Sequence, residues 1–234
     1  MAPPPTDTPT TWPELIQWGQ THYRDRLFPK DTVIPTRPGL LYCIHQGAVR
    51  LTATAHQGSK PRQTLIALYR THQSFEMPAT DHFEVIAQAH LEPTSVIWLY
   101  WREVAQWPHL LQLILQQCHS HQKKQLLWLS LLGQPSTLDR LLQFLLLLLE
   151  DGGLVQDQVY FLPYPLTHGQ IGSAIGATRV TVTRLMIKLR QQGVLTEQDN
   201  RLGLHALQLH RHYALRLIPH LEPLDPLESN CSSV

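Results

Sequence analysis

The sequence predicts an α+β fold: an N-terminal antiparallel β-roll, then a long helix, then a C-terminal winged helix-turn-helix. Three observations carry this. Between Asp31 and Trp101 apolar residues alternate with a period of two, interrupted by turn signals. From Trp107 to Gln134 the pattern is helical without a break. From Leu166 to Leu195 two short helical patterns flank a tight turn and lead into a hairpin signal. With 234 residues, two small domains fit better than one. The expected segments are an unstructured 1–13, a roll over 14–106, the long helix over 107–134, the winged helix-turn-helix over 135–209, and a tail over 210–234.

Composition narrows the class. The chain is 43% hydrophobic, which is globular, but only 16% charged. Cys43, Cys118 and Cys231 are odd in number and widely spaced, which argues for a reducing compartment rather than a disulfide framework. The start, MAPPPTDTPTTWP, lacks the basic and apolar regions of a signal peptide. The most apolar run, Phe144 to Leu149, is far too short to cross a bilayer. A cytoplasmic protein with no membrane partner is expected.

Residues 14–28 read as a short helix. In the roll, Val49, Leu51, Ala53 and Ala55 alternate with Arg50, Thr52 and Thr54. Phe83, Val85, Ala87 and Ala89 alternate with Glu84, Ile86, Gln88 and His90. Pro38-Gly39, His45-Gln46-Gly47 and His56-Gln57-Gly58-Ser59 mark the turns. Short strands at such spacing suggest a compact barrel or double-sheeted roll. Pro108 suits the first turn of the long helix. Leu110, Leu111, Ile114 and Leu115 open it, Leu126, Leu127, Leu131 and Leu132 close it, and Gln116 to Gln125 is polar. Gly133-Gln134-Pro135 is a hinge, since the residue before a proline leaves the helical region. Ser136 with Asp139 caps a Leu-rich helix to Glu150, ended by Asp151-Gly152-Gly153. Gln156 to Leu162 is a strand candidate. Val194–Leu195 and Arg201 to Leu207, joined through Asp199-Asn200, form the wing. From His210 onward a helix turn and an unstructured end are expected.

The helix-turn-helix is built from local chemistry. Thr167 and Gln170 make a capping box. Ile171, Ala174 and Ile175 supply an apolar stripe, and Gly176 ends the helix in the left-handed region. Thr178 caps the second helix, with Val182, Leu185, Met186 and Leu189 on one face. Arg179, Val180, Thr183 and Arg184 fall on the other, at its N-terminal end, where a recognition helix meets base edges in the major groove. Between Asp157 and Glu197 there is no acidic residue, while Arg179, Arg184, Lys188 and Arg190 are basic. In a chain of net charge +1, that local +4 is a footprint for phosphate. An amphipathic helix pair with a solvated basic face would share much of this pattern.

The particular residues favour DNA. Leu166–Leu195 resembles the DNA-binding segment of the CRP/FNR family of bacterial transcription regulators. Thr178-Arg179-Val180-Thr181-Val182-Thr183-Arg184-Leu185 is most similar to the cyanobacterial nitrogen-control branch. Leu41-Tyr42-Cys43-Ile44-His45-Gln46-Gly47-Ala48-Val49 resembles the hairpin of that family's cyclic-nucleotide-binding-like sensor roll, and Ala67 to Phe75 the strand leading to its effector pocket. The resemblance implies double-stranded DNA as partner, with a palindrome of GTA and TAC half-sites. It implies base contacts from Arg179, Val180, Thr183 and Arg184, and phosphate contacts from His168, Thr178, Thr181 and Lys188. It also implies a homodimer paired along the long helix, with Leu110, Ile114, Leu127 and Leu131 as the expected contacts. A single helix packed on its own roll is the competing reading. RNA polymerase or a coactivator protein stays open as a further partner.

One region departs from the family. After Phe75 the pattern calls for a Gly, a short helix and an Arg that grips an anionic effector. Here Glu76 stands at the Gly position, Pro78 interrupts any helix, and His82 falls where the Arg would be. No cyclic nucleotide, and no cofactor, is therefore expected. In the polar middle of the long helix, His119, His121, Lys123 and Lys124 are either an anion contact or a solvated face. Fourteen histidines include His119-x-His121 and His210-x-His212, but neither pair has a third ligand at metal spacing, so no metal is expected. Cys118 could bridge a second copy, sense oxidation, or stay a free thiol. No nucleophile elbow or phosphate loop is present, and Gly169, Gly172 and Gly176 read as close helix packing, so no enzyme is expected. Two functions remain: a sequence-specific transcription regulator, or a partner-controlled interaction module with weak DNA binding.

Overall fold

A computed structural model describes residues 9–55 and 63–213. The chain divides between Leu126 and Leu127 into two compact units. The expectations for residues 1–8, for the His56–Ser59 turn, for Cys231 and for the tail beyond Tyr213 lie outside the described residues.

The first unit opens with α1 (Trp12–Thr21), β1 (Asp25–Phe28), β2 (Leu40–Gln46) and β3 (Ala48–Ala55). It continues with β4 (Gln63–Arg70), β5 (Ser74–Glu76), β6 (Phe83–Ala89), β7 (Thr94–Tyr100) and α2 (Trp101–Val104). α1 starts earlier than the sequence suggested, because Thr11 caps it by accepting the Glu14 amide at 3.4 Å. The Glu14 carboxylate in turn accepts the Thr10 amide at 2.7 Å, which holds its pKa below the usual value. Residues 12 and 13 are thus ordered. The helix also stops at Thr21, not residue 28. Tyr23 takes a left-handed φ of 56°, and Asp25–Phe28 turns away to pair antiparallel with β7.

Two antiparallel sheets make the roll, in the orders β1-β7-β2-β5 and β4-β3-β6. Tyr42, Ile44, Val49, Leu51, Tyr69, Phe75 and Val96 fill the space between them. The outer face of the first sheet is buried too, with Leu41, Cys43, Ile97 and Leu99 packed on Leu15, Val104, Trp107, Leu110 and Ile114. A sheet covered on both faces needs no polar alternation, which is why Leu40–Ile44 and Val96–Leu99 read as apolar runs. Gly47 is required between β2 and β3: at φ +80° a Cβ would sit 2.5 Å from the Pro93 carbonyl oxygen.

The long helix, α3 (Pro108–Leu132), has 25 residues and matches its expected bounds closely. Its interior side does not. Leu110, Ile114 and Leu131 are 0%, 0% and 3% exposed within their own chain, so they cannot carry a contact with a second copy. They sit on the side of the helix that covers its own chain's core, where the apolar signal is strongest. Only Leu127, at 43%, remains available of the four expected residues, alongside exposed Leu115, Leu126, Leu129 and Leu132.

The second unit holds α4 (Thr137–Glu150), β8 (Leu154–Gln156), β9 (Val159–Phe161), α5 (His168–Ala174), α6 (Arg179–Gln191), β10 (Leu195–Gln198), β11 (Arg201–His205) and α7 (Ala206–Tyr213). Ser136 caps α4, which buries Leu141, Leu142, Phe144, Leu145 and Leu147 to Leu149. The strand expected from Gln156 is instead a hairpin, since Asp157 and Gln158 both take positive φ, as a tight hairpin turn requires. Asp199 and Asn200 do the same in the wing, as their sequence suggested. β11 ends at His205, and α7 begins at Ala206 and runs past the expected domain end at 209. The sheet order is β10-β11-β9-β8.

Trp128, 6% exposed, ties α3 to this unit. Its ring lies 5.0 Å from that of Phe144, and its indole N–H donates to the Ala174 carbonyl at 2.9 Å. Ala174 is the last residue of α5, so the helix supplies that oxygen with no amide. Trp128→Phe keeps most of the packing and leaves the carbonyl unsatisfied. It should lower unfolding free energy by about 1–3 kcal/mol in urea titrations. An unchanged midpoint would show that the bond contributes nothing.

Candidate nucleic-acid interface

The α5–α6 pair is held by groups that the sequence displayed openly. Thr167 accepts the Gln170 amide at 3.2 Å while the Gln170 side chain accepts the Thr167 amide at 2.8 Å, completing the capping box. Gly176 turns the chain at φ +65°. Gly172 lets α5 touch the turn: a Cβ there would lie 2.9 Å from the Ala177 oxygen, whereas the Ala177 amide now donates to Gly172 O at 2.8 Å. Thr178 then caps α6, accepting the Thr181 amide at 3.1 Å, and the two hydroxyls are 2.9 Å apart. Val182, Met186 and Leu189 are buried beneath.

On the outer side Arg179, Val180, Arg184 and Lys188 are exposed, Val180 to 59%. Among the described residues no carboxylate pairs with Arg179, Arg184 or Lys188. Arg190 differs, because it binds Glu197 of β10 at 2.5 Å. Of the four basic groups counted in the sequence, three remain uncompensated, and two of these lie in the first half of α6. Such a cluster, on a rigid and doubly capped helix, is suited to phosphates and to the acceptor edge of guanine.

Two expected contacts have other partners. The Thr183 hydroxyl donates to the Arg179 carbonyl at 2.9 Å, so its only proton is committed. His168 Nδ1 lies 2.9 Å from the Thr183 hydroxyl oxygen and, with that proton committed, is the donor. Thr183 is thus a strut between α5 and α6, with no proton left for a base. His168 carries its proton on Nδ1, leaving Nε2 bare. Burial holds the His168 pKa down, and Arg190 and Arg179 push the same way against Glu197.

The roll holds a cavity of about 480 Å³, lined in part by Tyr69, Glu76, Met77, Trp101, His121 and Gln122. Among the described residues no arginine or lysine lines it. Residues 77–82 form no helix, His82 is exposed, and the Glu76 carboxylate accepts the Trp101 indole N–H at 3.1 Å. Cys118, also in the lining, is a free, exposed thiol, and burial of its sulfur raises its pKa, with Glu76 adding to the shift. The described residues contain no group of three or more metal-ligating side chains. No helix among them is long and apolar enough to cross a membrane.

With this geometry in place, residues 139–211 match the model of the Crp-like helix-turn-helix domain. That segment is therefore a Crp-like helix-turn-helix domain. It is similar to the global nitrogen regulators of Synechococcus elongatus (28% identity over 170 residues, 69% of this chain and 75% of that protein) and of a Synechocystis species (28% over 173 residues, 70% and 76%). A CRP-family transcriptional regulator of Thermus thermophilus shares its fold with a TM-score of 0.63 at 19% identity, covering 82% of this chain and 98% of that one. A cyclic nucleotide-binding domain containing protein of Listeria monocytogenes has a TM-score of 0.68 at 9% identity, covering 82% and 95%. The chain thus joins a Crp-like helix-turn-helix domain to a roll with a cyclic-nucleotide-binding-like fold.

The depressed His168 pKa has a consequence that does not depend on DNA. The folded protein binds fewer protons at this site than the unfolded chain, so its contribution is present above about pH 6.5 and is lost as pH falls below it. On acidification below that value, the wild type should lose more melting temperature than His168→Asn. Parallel losses would show that His168 is not perturbed.

Proposed function

We propose that this chain is a CRP/FNR-type transcription regulator, a homodimer that binds a palindromic DNA site sequence-specifically and does not respond to cyclic nucleotides. The observation that carries the reading is the exposed, carboxylate-free pair Arg179 and Arg184 on a helix fixed by Thr178 and Gly172. Arg179 would grip a guanine bidentately, Val180 would meet a thymine methyl, and Arg184 a further base or phosphate. Thr178, Thr181 and Lys188 would set register on the backbone, while His168, its one ring proton given to Thr183, would brace the helix pair in place of the expected phosphate contact. The likeness to nitrogen-control regulators supports GTA and TAC half-sites. Arg179→Ala should cost about 1–3 kcal/mol on such a palindrome and relax the guanine preference in a selection from random DNA. Equal loss on random duplexes would sink the assignment.

A palindrome read in two successive major grooves needs two recognition helices about 34 Å apart, hence two copies. The seam we assign on α3 is the stripe Leu111, Leu115, Cys118, Gln122, Gln125, Leu129 and Leu132, spaced alternately by four and three as in a coiled coil. Its ends are apolar and its middle polar. Leu115→Lys with Leu129→Lys should give folded monomers in sedimentation that hold the palindrome weakly. Retention of the dimer would remove α3 as the interface.

A described lining without arginine or lysine supports the absence of cyclic nucleotide binding, because an anionic phosphate would meet the Glu76 carboxylate with no guanidinium or ammonium among these residues to balance it. A ligand at one hundred times its dissociation constant raises stability by about 2.7 kcal/mol. Neither cyclic AMP nor cyclic GMP should shift the melting temperature, and a clear rise with either would overturn this reading of the cavity.

A further inference from the structure

The inner surface of the roll opens at a second place that shares no lining residue with the larger cavity. Antiparallel register brings it about. Arg26 faces Val96, Tyr42 faces Trp98 and Leu40 faces Tyr100, and alternate residues of a strand share a face. Arg26, Phe28, Tyr42, Trp98 and Tyr100 therefore line one hollow of about 220 Å³, with Arg37 at its edge. We propose that this hollow is a binding site for a small planar aromatic carboxylate.

The charge is in place and unmet. Among the described residues neither Arg26 nor Arg37 has a carboxylate partner. The nearby acids are engaged elsewhere: Glu103 receives both Arg24 nitrogens, at 2.5 and 2.8 Å, and Asp25 accepts the Ser95 hydroxyl and lies 3.5 Å from His45. Arg102 lies 4.8 Å from the Tyr100 ring centroid, and the Glu103-paired Arg24 lies 4.7 Å from that of Trp98. A fixed donor lies beside Arg37. Tyr42 is only 4% exposed, and its hydroxyl accepts the Arg37 amide at 2.7 Å. Its own proton has no acceptor among the described residues. Burial raises the phenol pKa, against the pull of Arg37, so the group stays protonated and can donate.

The walls select the rest of the ligand. Trp98 and Tyr100, edge to face at 6.1 Å, and Phe28 offer ring surface to a flat apolar body. The volume is below that of sites for drug-sized molecules, which points to an acid of one or two fused rings. An occupant would also touch a packed path. Tyr42 stacks on Phe75 at 5.2 Å, Phe75 on Tyr69 at 5.3 Å, and Tyr69 on His121 of α3 at 4.1 Å.

The test uses the full-length protein, by calorimetry and thermal melting. Benzoate, 4-hydroxybenzoate and indole-3-carboxylate are the probes, with benzamide as the uncharged analogue and inorganic phosphate as the ringless anion. At least one acid should bind, with benzamide and phosphate weaker by about tenfold or more, since both charge-assisted bonds and ring contact are needed. R26Q/R37Q should lose about tenfold, and Tyr42→Phe less, because it keeps the ring stack. Arg26 and Arg37 are exposed, so that double variant should fold normally. The site is wrong if no acid binds at concentrations on the order of 10 mM. It is equally wrong if benzamide or phosphate matches the acids, or if R26Q/R37Q binds like the wild type.

Discussion

A helix has one circumference, and in α3 most of it is committed within the chain. Leu110 and Ile114 close the core over the outer face of the roll, and Trp128 reaches the Ala174 carbonyl and Phe144 in the second unit. With these positions taken by the protein's own core, the stripe through Leu115 and Leu129 is the one proposed for a second copy. Hydrophobicity alone favoured Leu110, Ile114 and Leu131, the regular apolar positions that the protein's own core buries. The proposed seam instead uses leucines that the core leaves exposed, Leu115 at 54% and Leu129 at 65%.

The parts of the fold legible in sequence are those decided by groups close together in the chain. Thr167 with Gln170, Ser136 with Asp139, Thr178 before Arg179, Gly176 and Asp199-Asn200 each settle a helix end or a turn through a bond spanning a few residues, and each stands where its chemistry placed it. The misread elements depend on distant partners. Asp25–Phe28 is a strand only because β7 offers it an edge, and its four residues carry no alternation that a short helix would lack. Asp157-Gln158 makes a tight turn although Gln is a poor choice for positive φ, so the hairpin it forms is set by pairing to β9 and β11.

The same division runs through the candidate interface. Exposure of Arg179, Val180 and Arg184 followed from helical periodicity. The roles of Thr183 and Arg190 did not, because the first is fixed by His168 fifteen positions earlier and the second by Glu197 seven positions later. Counting charge in a window overstates the field when one member is neutralised by a strand that folds back beside it. The correction concentrates the positive charge toward the start of α6. There Arg179 and Arg184 sit on a helix whose first turn is braced twice, by the Thr178 cap and by the His168–Thr183–Arg179 carbonyl chain.

Charge has moved within the roll as well. The larger cavity, bounded by Tyr69, Met77, Trp101 and His121, holds Glu76 against an indole and has no arginine or lysine among its described lining residues, while guanidinium groups gather over Trp98 and Tyr100 on the strands around Tyr42. An arginine over an aromatic face keeps a partly desolvated charge without needing a carboxylate, because the negative face of the ring substitutes for one. Arg24 uses both, stacking on Trp18 and Trp98 and pairing with Glu103. Arg26 and Arg37 have neither a ring contact nor an acid among the described residues, and they stand beside a phenol with a proton to give. Unmet cations, an uncommitted donor and an open aromatic wall occur together on this side of Tyr42. On the other side, Phe75 passes the stack to Tyr69 and His121, so the ring column joins a positively charged hollow to the helix that carries the exposed leucine stripe.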